Sequence, residues 1–295
     1  MQIQIESITA ADFSDPALSV YTETPESVLF HKYEPAPGIF IAESPNVISR
    51  ALRAGYRPLS FLIEEGQMEK CGPLLNALKS IPGDEAVPVR TACSRDMRRI
   101  TGYPMTRGVL CAMRRRPLPD PASLVRDAKR IAILEDIENP TNIGAIFRSA
   151  AAMFIDAVIL SPGCADPLYR RAARVSMGTV FQIPWTFAGR VLKDDAGRVL
   201  YSPGHWPDEI IPVLQESGFC MIALALTQDT IPIDSPALKE KDRIAVILGN
   251  ESTGIRPETL RLCDFTVKIP MAHDVDSLNV AAASAVAFWE LSRRS

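Results

Sequence analysis

The sequence predicts an α/β protein whose second half is built on an open parallel sheet. Short strand-like apolar runs alternate with helix-like segments twice along the chain, which is typical of layered α/β folds. A charge run with three prolines, residues 114–121, separates the two alternations. In the second alternation, polar residues directly follow buried strands, which favours a ligand site at the carboxyl edge of a sheet.

The first domain is predicted over residues 1–116. Residues 1–37 are acidic and contain four prolines, so we expect an irregular lead-in with little regular structure. The predicted strands cover residues 39–42, 59–63, 87–93 and 109–113, and the predicted helices cover 47–54, 72–80 and 95–101. Residues 117–126 are predicted to be the linker.

The second domain is predicted over residues 127–295. Its predicted strands cover residues 130–134, 157–160, 181–184, 220–226, 244–249 and 265–271. Predicted helices cover 142–154, with Thr141 as a candidate N-cap, then 168–177, 209–217, 257–263 and a long apolar helix at the C-terminus. Residues 188–209 are polar and rich in turn formers, and their role is open.

The distribution of charge is more informative than the net charge of −3. Residues 1–43 hold seven acidic side chains and one basic one, whereas residues 90–116 hold eight arginines and one acid. A basic patch suits a polyanion such as RNA, although a solvated surface is an equally good interpretation of this segment alone. Arg50, Arg53 and Arg57 are also spaced to share one helix face or its C-terminal end.

The six cysteines form no C-x-x-C pair, and the three histidines are far apart in sequence. This pattern argues against a zinc site or a disulfide framework and suits a reducing cytoplasm. The N-terminus has no signal-peptide pattern, and no apolar run is long enough to span a membrane. We therefore expect a cytoplasmic protein with no metal.

Three short segments carry the candidate chemistry. The glycine-rich phosphate loops of dinucleotide and P-loop proteins are missing, as is a G-x-S-x-G elbow. Instead the chain has N-P-T-N-I-G-A-I-F-R at 139–148, G-N-E-S-T-G at 249–254 and S-L-N-V at 277–280. Taken singly, these could be a helix whose arginine faces water, a turn and a helix cap. Together they lie at three strand ends of one predicted sheet, which favours a common site.

The identity and order of these motifs, with I-P-M at 269–271, resemble the SpoU/TrmH branch of the SPOUT RNA methyltransferases. The resemblance covers residues 121–295, and the first domain resembles the L30e-type RNA-binding domain that many members carry. It implies a parallel sheet with a C-terminal trefoil knot, S-adenosylmethionine as cofactor, an RNA partner, either ribosomal or transfer RNA, and a homodimer with the site beside the subunit interface.

Site residues are carried over from the resemblance by motif position. The catalytic candidates are Asn142, Arg148, Glu251, Ser277 and Asn279. The cofactor would meet backbone near Leu226, Gly249, Ile269, Met271 and Leu278. RNA affinity would come from Arg50, Arg53, Arg98 and Arg99.

The implied reaction is methyl transfer to a ribose 2′-hydroxyl. A guanidinium hardly deprotonates, so Arg148 is expected to clamp the ribose or phosphate and stabilise a developing alkoxide rather than to act as a base. Glu251 is expected to fix Arg148 or to position the hydroxyl.

Two other functions remain open: a knotted RNA-binding protein without catalysis, and an unrelated nucleotide-binding α/β enzyme. Departures from the family pattern at residues 272–276, at Ala281 and in the long segment 188–209 concern the substrate side more than the cofactor side.

Overall fold

The structure, a computed structural model, describes residues 1–9, 12, 15–22, 28–29, 38–83, 86–101, 108–193, 199–203, 206–273 and 277–292. The described chain forms two compact units. The first contains Met1–Pro117 and Leu168–Phe181, and the second contains Leu118–Pro167 and Gln182–Ser295. The stretch 168–181, which sequence reasoning assigned to the second domain, thus packs with the first unit.

The first unit is built on a five-stranded sheet in the order β1-β4-β3-β5-β2. The strands are β1 (Gln2–Ser7), β2 (Ile39–Glu43), β3 (Arg57–Glu64), β4 (Ala86–Ala92) and β5 (Val109–Arg114). Its helices are α1 (Ser19–Thr22), α2 (Pro45–Arg53), α3 (Met68–Lys79) and α4 (Ser94–Thr101), joined from later in the chain by α7 (Arg170–Val175). Strand β4 pairs in parallel with β1 and β3, whereas β5 is antiparallel to β2 and β3.

The expectation of an irregular lead-in was wrong for its first residues. Residues 2–6 alternate polar and apolar side chains, and residues 2–7 form the edge strand β1 with Ile3 opposite Val87. Five of its six residues are exposed. The acidic composition and the prolines favoured irregular structure, whereas the alternation of residues 2–6 is typical of a strand. Much of the rest of 1–37 lies outside the described residues.

The second unit is built on a seven-stranded sheet in the order β12-β14-β11-β13-β6-β7-β8, in which every pair is parallel. The strands are β6 (Arg130–Leu134), β7 (Ala157–Leu160), β8 (Trp185–Phe187), β11 (Cys220–Leu224), β12 (Ile231–Pro232), β13 (Ile244–Leu248) and β14 (Phe265–Lys268). Its helices are α5 (Pro121–Leu124), α6 (Pro140–Ala152), α8 (Ile210–Glu216), α9 (Pro236–Lys239), α10 (Pro257–Arg261) and α11 (Val280–Ser292). The prediction of a parallel α/β sheet is confirmed.

Burial explains why the central strands are continuously apolar. All five residues of β13 and all four of β7 are buried, as expected when helices cover both faces of a parallel sheet. Helix α11 packs against α6 and also contacts β13. These contacts hold helix α6, which carries Asn142 on its first turn, against helix α11, which Asn279 directly precedes.

Two local predictions in this half were wrong. The strand expected at 181–184 is a 3-10 turn at Thr179–Phe181 followed by β8. The turn-rich segment 188–209 contains an antiparallel ribbon of β9 (Gly189–Lys193) and β10 (Val199–Pro203). Residues 194–198 and 204–205 of that segment lie outside the described residues.

Within the described residues no helix is both long and apolar enough to cross a bilayer.

Candidate active site

The loop that carries Glu251 follows β13, and backbone hydrogen bonds between its two ends close it. The backbone N–H groups of Asn250 and Gly254 each donate to the carbonyl of the other residue, at 3.1 and 2.9 Å. The Asn250 side chain accepts from the N–H groups of Ser252 and Thr253 at 2.8 and 3.2 Å. Since the backbone is tied across five residues, the side chain of Glu251 projects from a rigid turn.

Gly249 is required where β13 enters this loop. A Cβ added at this position would lie 2.6 Å from the carbonyl carbon and oxygen of Gly254 and from Ile255 Cγ1. Only a residue without a side chain permits that approach. Gly254 itself has a φ of +70°, in the left-handed region that favours glycine.

Helix α6 presents the first motif. Its N-cap is Asn139, whose side chain accepts from the N–H of Thr141 at 2.9 Å, so the expectation that Thr141 is the cap was wrong. Pro140 takes the first helical position, where a missing N–H costs nothing. Asn142 on the first turn is buried, with 8% of its surface exposed.

The three motifs meet at the side chain of Asn142. Its Nδ2 donates to Glu251 Oε1, and its Oδ1 accepts from Asn279 Nδ2 at 3.3 Å. Asn279 also caps α11 by accepting from the N–H of Ala281 at 3.0 Å. Residues 109 and 137 positions from Asn142 are thus joined in one hydrogen-bonded chain. We call Asn142, Glu251 and Asn279 the polar triad.

Arg148 is not part of this bonded chain. It follows Asn142 by six residues, which places it about 9 Å further along the helix axis and on a different face. Arg148 is exposed, and within the described residues its side chain forms no hydrogen bond or ion pair. Ser277 is exposed as well. The roles expected for these two side chains stay predictions.

The residues expected to hold the cofactor lie at the carboxyl edge of the sheet, where they follow a strand or precede a helix. Leu226 follows β11, Gly249 follows β13, and Ile269 and Met271 follow β14; these three strands are neighbours in the sheet. Leu278 precedes α11. Leu226, Leu278 and Met271 are 64%, 41% and 37% exposed, which leaves apolar surface at this edge available for contact with a ligand.

Sequence reasoning gave no role to Glu135 and Asp136, which directly follow β6. The Glu135 carboxylate is fully buried and accepts hydrogen bonds from Arg256, Thr259 and Trp206. The available signal was a pair of acidic residues directly after a buried strand, at the edge where the other motifs converge.

Cys220, the first residue of β11, and Cys263, which precedes β14, lie at the ends of these strands away from the site. Burial raises the pKa of the Cys263 thiol to about 12 and that of Cys220 to about 11, in both cases with a smaller contribution from Asp264. Thiols with such pKa values are poor nucleophiles at neutral pH. No cluster of three or more potential metal-ligating His, Cys, Asp or Glu occurs in the part of the chain that the structure describes.

The arginines expected to contact RNA lie in the first unit and differ in their contacts. Arg50 donates to the carbonyl of Met177 at 2.6 Å, and Arg53 donates to its own helix at Ser49. Arg98 and Arg99 lie in the last turn of α4, where Arg99 approaches Asp96 at 3.9 Å. Arg53, Arg98 and Arg99 are exposed, whereas Arg50 is half-buried.

Comparison with known proteins identifies the family. Residues 129–289, which include all three motifs, match the SpoU rRNA Methylase family. The chain belongs to the SpoU rRNA methylase family. The family and enzyme class predicted from the sequence, an RNA methyltransferase, are confirmed.

Individual relatives of this SpoU methylase are also named as RNA methyltransferases. It is 36% identical over 256 residues to an uncharacterized tRNA/rRNA methyltransferase of Mycobacterium bovis, covering 86% of this chain and 81% of that protein. It is 27% identical over 213 residues to the 23S rRNA (guanosine-2′-O-)-methyltransferase RlmB of Acinetobacter baylyi, covering 70% and 79%. The AdoMet-bound rRNA methyltransferase of Sinorhizobium meliloti has the same fold, with a TM-score of 0.74, 21% identity and 97% of each chain covered.

Proposed function

We propose that this SpoU methylase transfers a methyl group from S-adenosylmethionine to a ribose 2′-hydroxyl in ribosomal or transfer RNA. The observation that carries the proposal is the polar triad, because it brings the three motifs together at the carboxyl edge of the sheet. The name of the Acinetobacter relative supports the 2′-oxygen as acceptor, and the AdoMet-bound Sinorhizobium structure supports the methyl donor.

The residues at the sheet edge fit the proposed donor. Exposed Leu226, Met271 and Leu278 offer apolar contacts to an adenosine and a methionine chain. When bound, the sulfonium supplies an activated methyl group, so the protein need not create an electrophile. What remains for the chain is to hold the ribose in line and to assist loss of the hydroxyl proton.

Glu251 is the proposed partner of the ribose hydroxyl. One of its carboxylate oxygens accepts from Asn142, which fixes the group and leaves the other oxygen to accept from the substrate. Arg148 is proposed to approach the ribose or the adjoining phosphate and to stabilise negative charge on the 2′-oxygen as the proton leaves. Ser277 is proposed to hold the substrate backbone beside the start of α11.

The trefoil knot is part of the proposed fold. Strand β14 lies near one edge of the sheet, yet α11, which follows it, packs back against α6 and β13. This return of the chain from the edge of the sheet to its centre supports the proposal that the C-terminal segment threads past the loop that carries Glu251.

A homodimer is proposed with its interface on α6 and α11. Phe154, just after α6, and Val286 and Trp289 on α11 are 75%, 40% and 58% exposed. Large exposed apolar side chains mark an interaction surface, and a second copy of the chain is the proposed occupant. Arg148 lies on the exposed side of α6 with Ala151 and Ala152, so a second copy would approach it.

The first unit is proposed to bind the RNA as an L30e-type domain, with Arg53, Arg98 and Arg99 supplying salt-dependent affinity. RNA substrates would place this activity in the cytoplasm.

Total RNA from cells with and without the gene provides the test. Wild-type protein and tritiated S-adenosylmethionine should label RNA from the deletion strain, whereas RNA from the parent strain, already modified, should accept little. Equal labelling of both RNAs, or of neither, would refute the proposal. Binding of the donor by calorimetry without any labelling would favour the knotted RNA-binding protein that lacks catalysis.

A further inference from the structure

The buried carboxylate of Glu135 joins three segments of the second unit. Its Oε1 accepts from the backbone N–H of Arg256 at 2.7 Å, and its Oε2 accepts from the Thr259 hydroxyl and the Trp206 indole N–H. With 0% of its surface exposed, Glu135 is held in place by these three hydrogen bonds. The group fixes the start of α10, where the loop that carries Glu251 ends.

The neighbouring Asp136 holds the same loop at two points. Its Oδ2 accepts from both Nε and Nη2 of Arg256, at 2.8 and 2.5 Å, and its carbonyl accepts from the Asn250 side chain at 2.8 Å. Its Oδ1 accepts from the Ser161 hydroxyl at 2.8 Å. A forked arginine contact fixes orientation as well as distance.

Two features of the backbone leave room for this arrangement. Asp136 has a φ of +55°, in the left-handed region that aspartate tolerates better than most residues. A Cβ on Gly163 would lie 2.3 Å from Asp136 Oδ1, so the carboxylate occupies its place only because residue 163 is glycine.

The loop 250–256 is therefore attached at both ends to Asp136, two residues after the end of β6. Asn250 at its beginning and Arg256 at its end bind Asp136, and Glu251 lies one residue after the first attachment. The partner of Glu251, Asn142, is only six residues after Asp136. The positions of Glu251 and Asn142 therefore both depend on Asp136.

We propose that Glu135 and Asp136 are positioning residues for methyl transfer, which act by holding the loop 250–256 so that Glu251 meets Asn142 and the substrate ribose. This inference rests on the proposed function. It also gives a role to Trp206 in the segment 188–209, because its indole N–H is one of the three donors to Glu135.

The test uses Arg256→Met and Asp136→Asn, with Arg261→Met as the matched control. Arg261 lies on α10 and forms an exposed pair with Glu258 at 3.3 Å. Both test variants should lower the single-turnover rate of methyl transfer, on the order of 10-fold to 100-fold, because misplacement of a reacting group by about 1 Å is enough for such a loss. Arg261→Met should keep the wild-type rate, and the affinity for S-adenosylmethionine should change less than about threefold in all three.

A second comparison separates positioning from general support of the fold. In a Glu251→Ala background, Arg256→Met should cause no further loss of rate, because its effect passes through Glu251. A full additional loss in that background would overturn the proposal. An unchanged rate in Asp136→Asn with a reduced rate in Arg256→Met would also overturn it, since Arg256 would then act on the RNA directly.

Trp206→Phe tests Glu135 while keeping an aromatic ring in the core. It should lower the rate less than Arg256→Met does, because Glu135 retains two of its three donors. A wild-type rate would remove Glu135 from the proposal.

Hydrogen exchange distinguishes failure of this inference from failure of the proposed function. Amides 250–256 should exchange faster in Arg256→Met and Asp136→Asn than in wild type, whether or not an RNA substrate has been found. Unchanged exchange would overturn the proposed attachment, whereas faster exchange in a protein that methylates no RNA would support it and refute only the proposed activity.

Discussion

Replacing Gly249 with alanine tests the geometry of the glutamate-bearing loop. The new Cβ would lie 2.6 Å from the backbone carbonyl of Gly254, whereas carbon contacts are most favourable at about 3.5–4.0 Å. The loop or the end of β13 must therefore move by about 1 Å. Ile255, which the Cβ would also meet, is buried and cannot simply turn away.

The expected loss has two parts. Overpacking of this kind costs about 1–3 kcal/mol of unfolding free energy. Displacement of Glu251 by about 1 Å should lower the rate of methyl transfer by about 100-fold. Unfolding in urea and single-turnover transfer of a tritiated methyl group to RNA would measure the two effects separately.

Gly66→Ala is the control for the loss of a glycine. No atom lies within 4 Å of a Cβ built on Gly66, which belongs to a short 3-10 turn of the first unit. This variant should keep the wild-type rate and gain up to about 1 kcal/mol through lower entropy of the unfolded chain. A Gly249→Ala protein with wild-type stability and rate would refute the account of the loop.

Four further predictions concern the site, the interface and the buried thiols. Arg148→Ala should abolish methylation and leave the donor affinity measured by calorimetry nearly unchanged, whereas Arg126→Ala, at an exposed position, should change neither the rate nor the affinity. Asn142→Asp should lower the transfer rate by more than tenfold, because it sets a second carboxylate against Glu251; a normal rate would contradict the polar triad. Trp289→Glu should convert a dimer into a monomer in analytical ultracentrifugation, while Ile5→Glu, at a 61% exposed position on β1, should not; equal masses would exclude the proposed interface. Burial raises the pKa of Cys164 from 9.0 to about 12, so its contribution to stability is complete below pH 9 and is lost as the pH rises towards 12. At pH 10 that loss is about 1.4 kcal/mol, and urea unfolding of Cys164→Ala should show a correspondingly smaller decrease between pH 8 and pH 10.

The strands of the second unit could be predicted closely because their burial is uniform. Strand β6 covers Arg130–Leu134 and β7 covers Ala157–Leu160, as the apolar runs indicated. Apolar runs do not indicate which strands pair with each other in the sheet. The placement of β14 between β12 and β11 could therefore not be derived from the pattern of residues.

The sequence predicted which residues belong to the site, but only partly which of them contact one another. Asn142 was named because of its motif, yet its function as the acceptor for Asn279 and donor to Glu251 depends on rotamers that spacing does not determine. Glu251 was expected from its motif either to fix Arg148 or to position the hydroxyl. The structure places the amide of Asn142 beside Glu251, and helix geometry places Arg148 on another face of α6.

The acidic pair after β6 was overlooked for a different physical reason. Glu135 resembles a solvated loop residue in sequence, because acidic side chains are rarely buried. Its donors come from Trp206 and Thr259, 71 and 124 residues away. Only the fold brings those donors together, so the burial of Glu135 could not be foreseen.

The most direct measurement is the position of the transferred methyl group on the nucleotide. RNA labelled with tritiated S-adenosylmethionine by the wild-type protein should be digested in alkali, which cannot cleave next to a methylated 2′-oxygen. The label should appear in alkali-stable dinucleotides, and Glu251→Ala should lose most of it. Label recovered in mononucleotides, which would mean a methylated base, or equal labelling by Glu251→Ala would contradict ribose methylation at the polar triad.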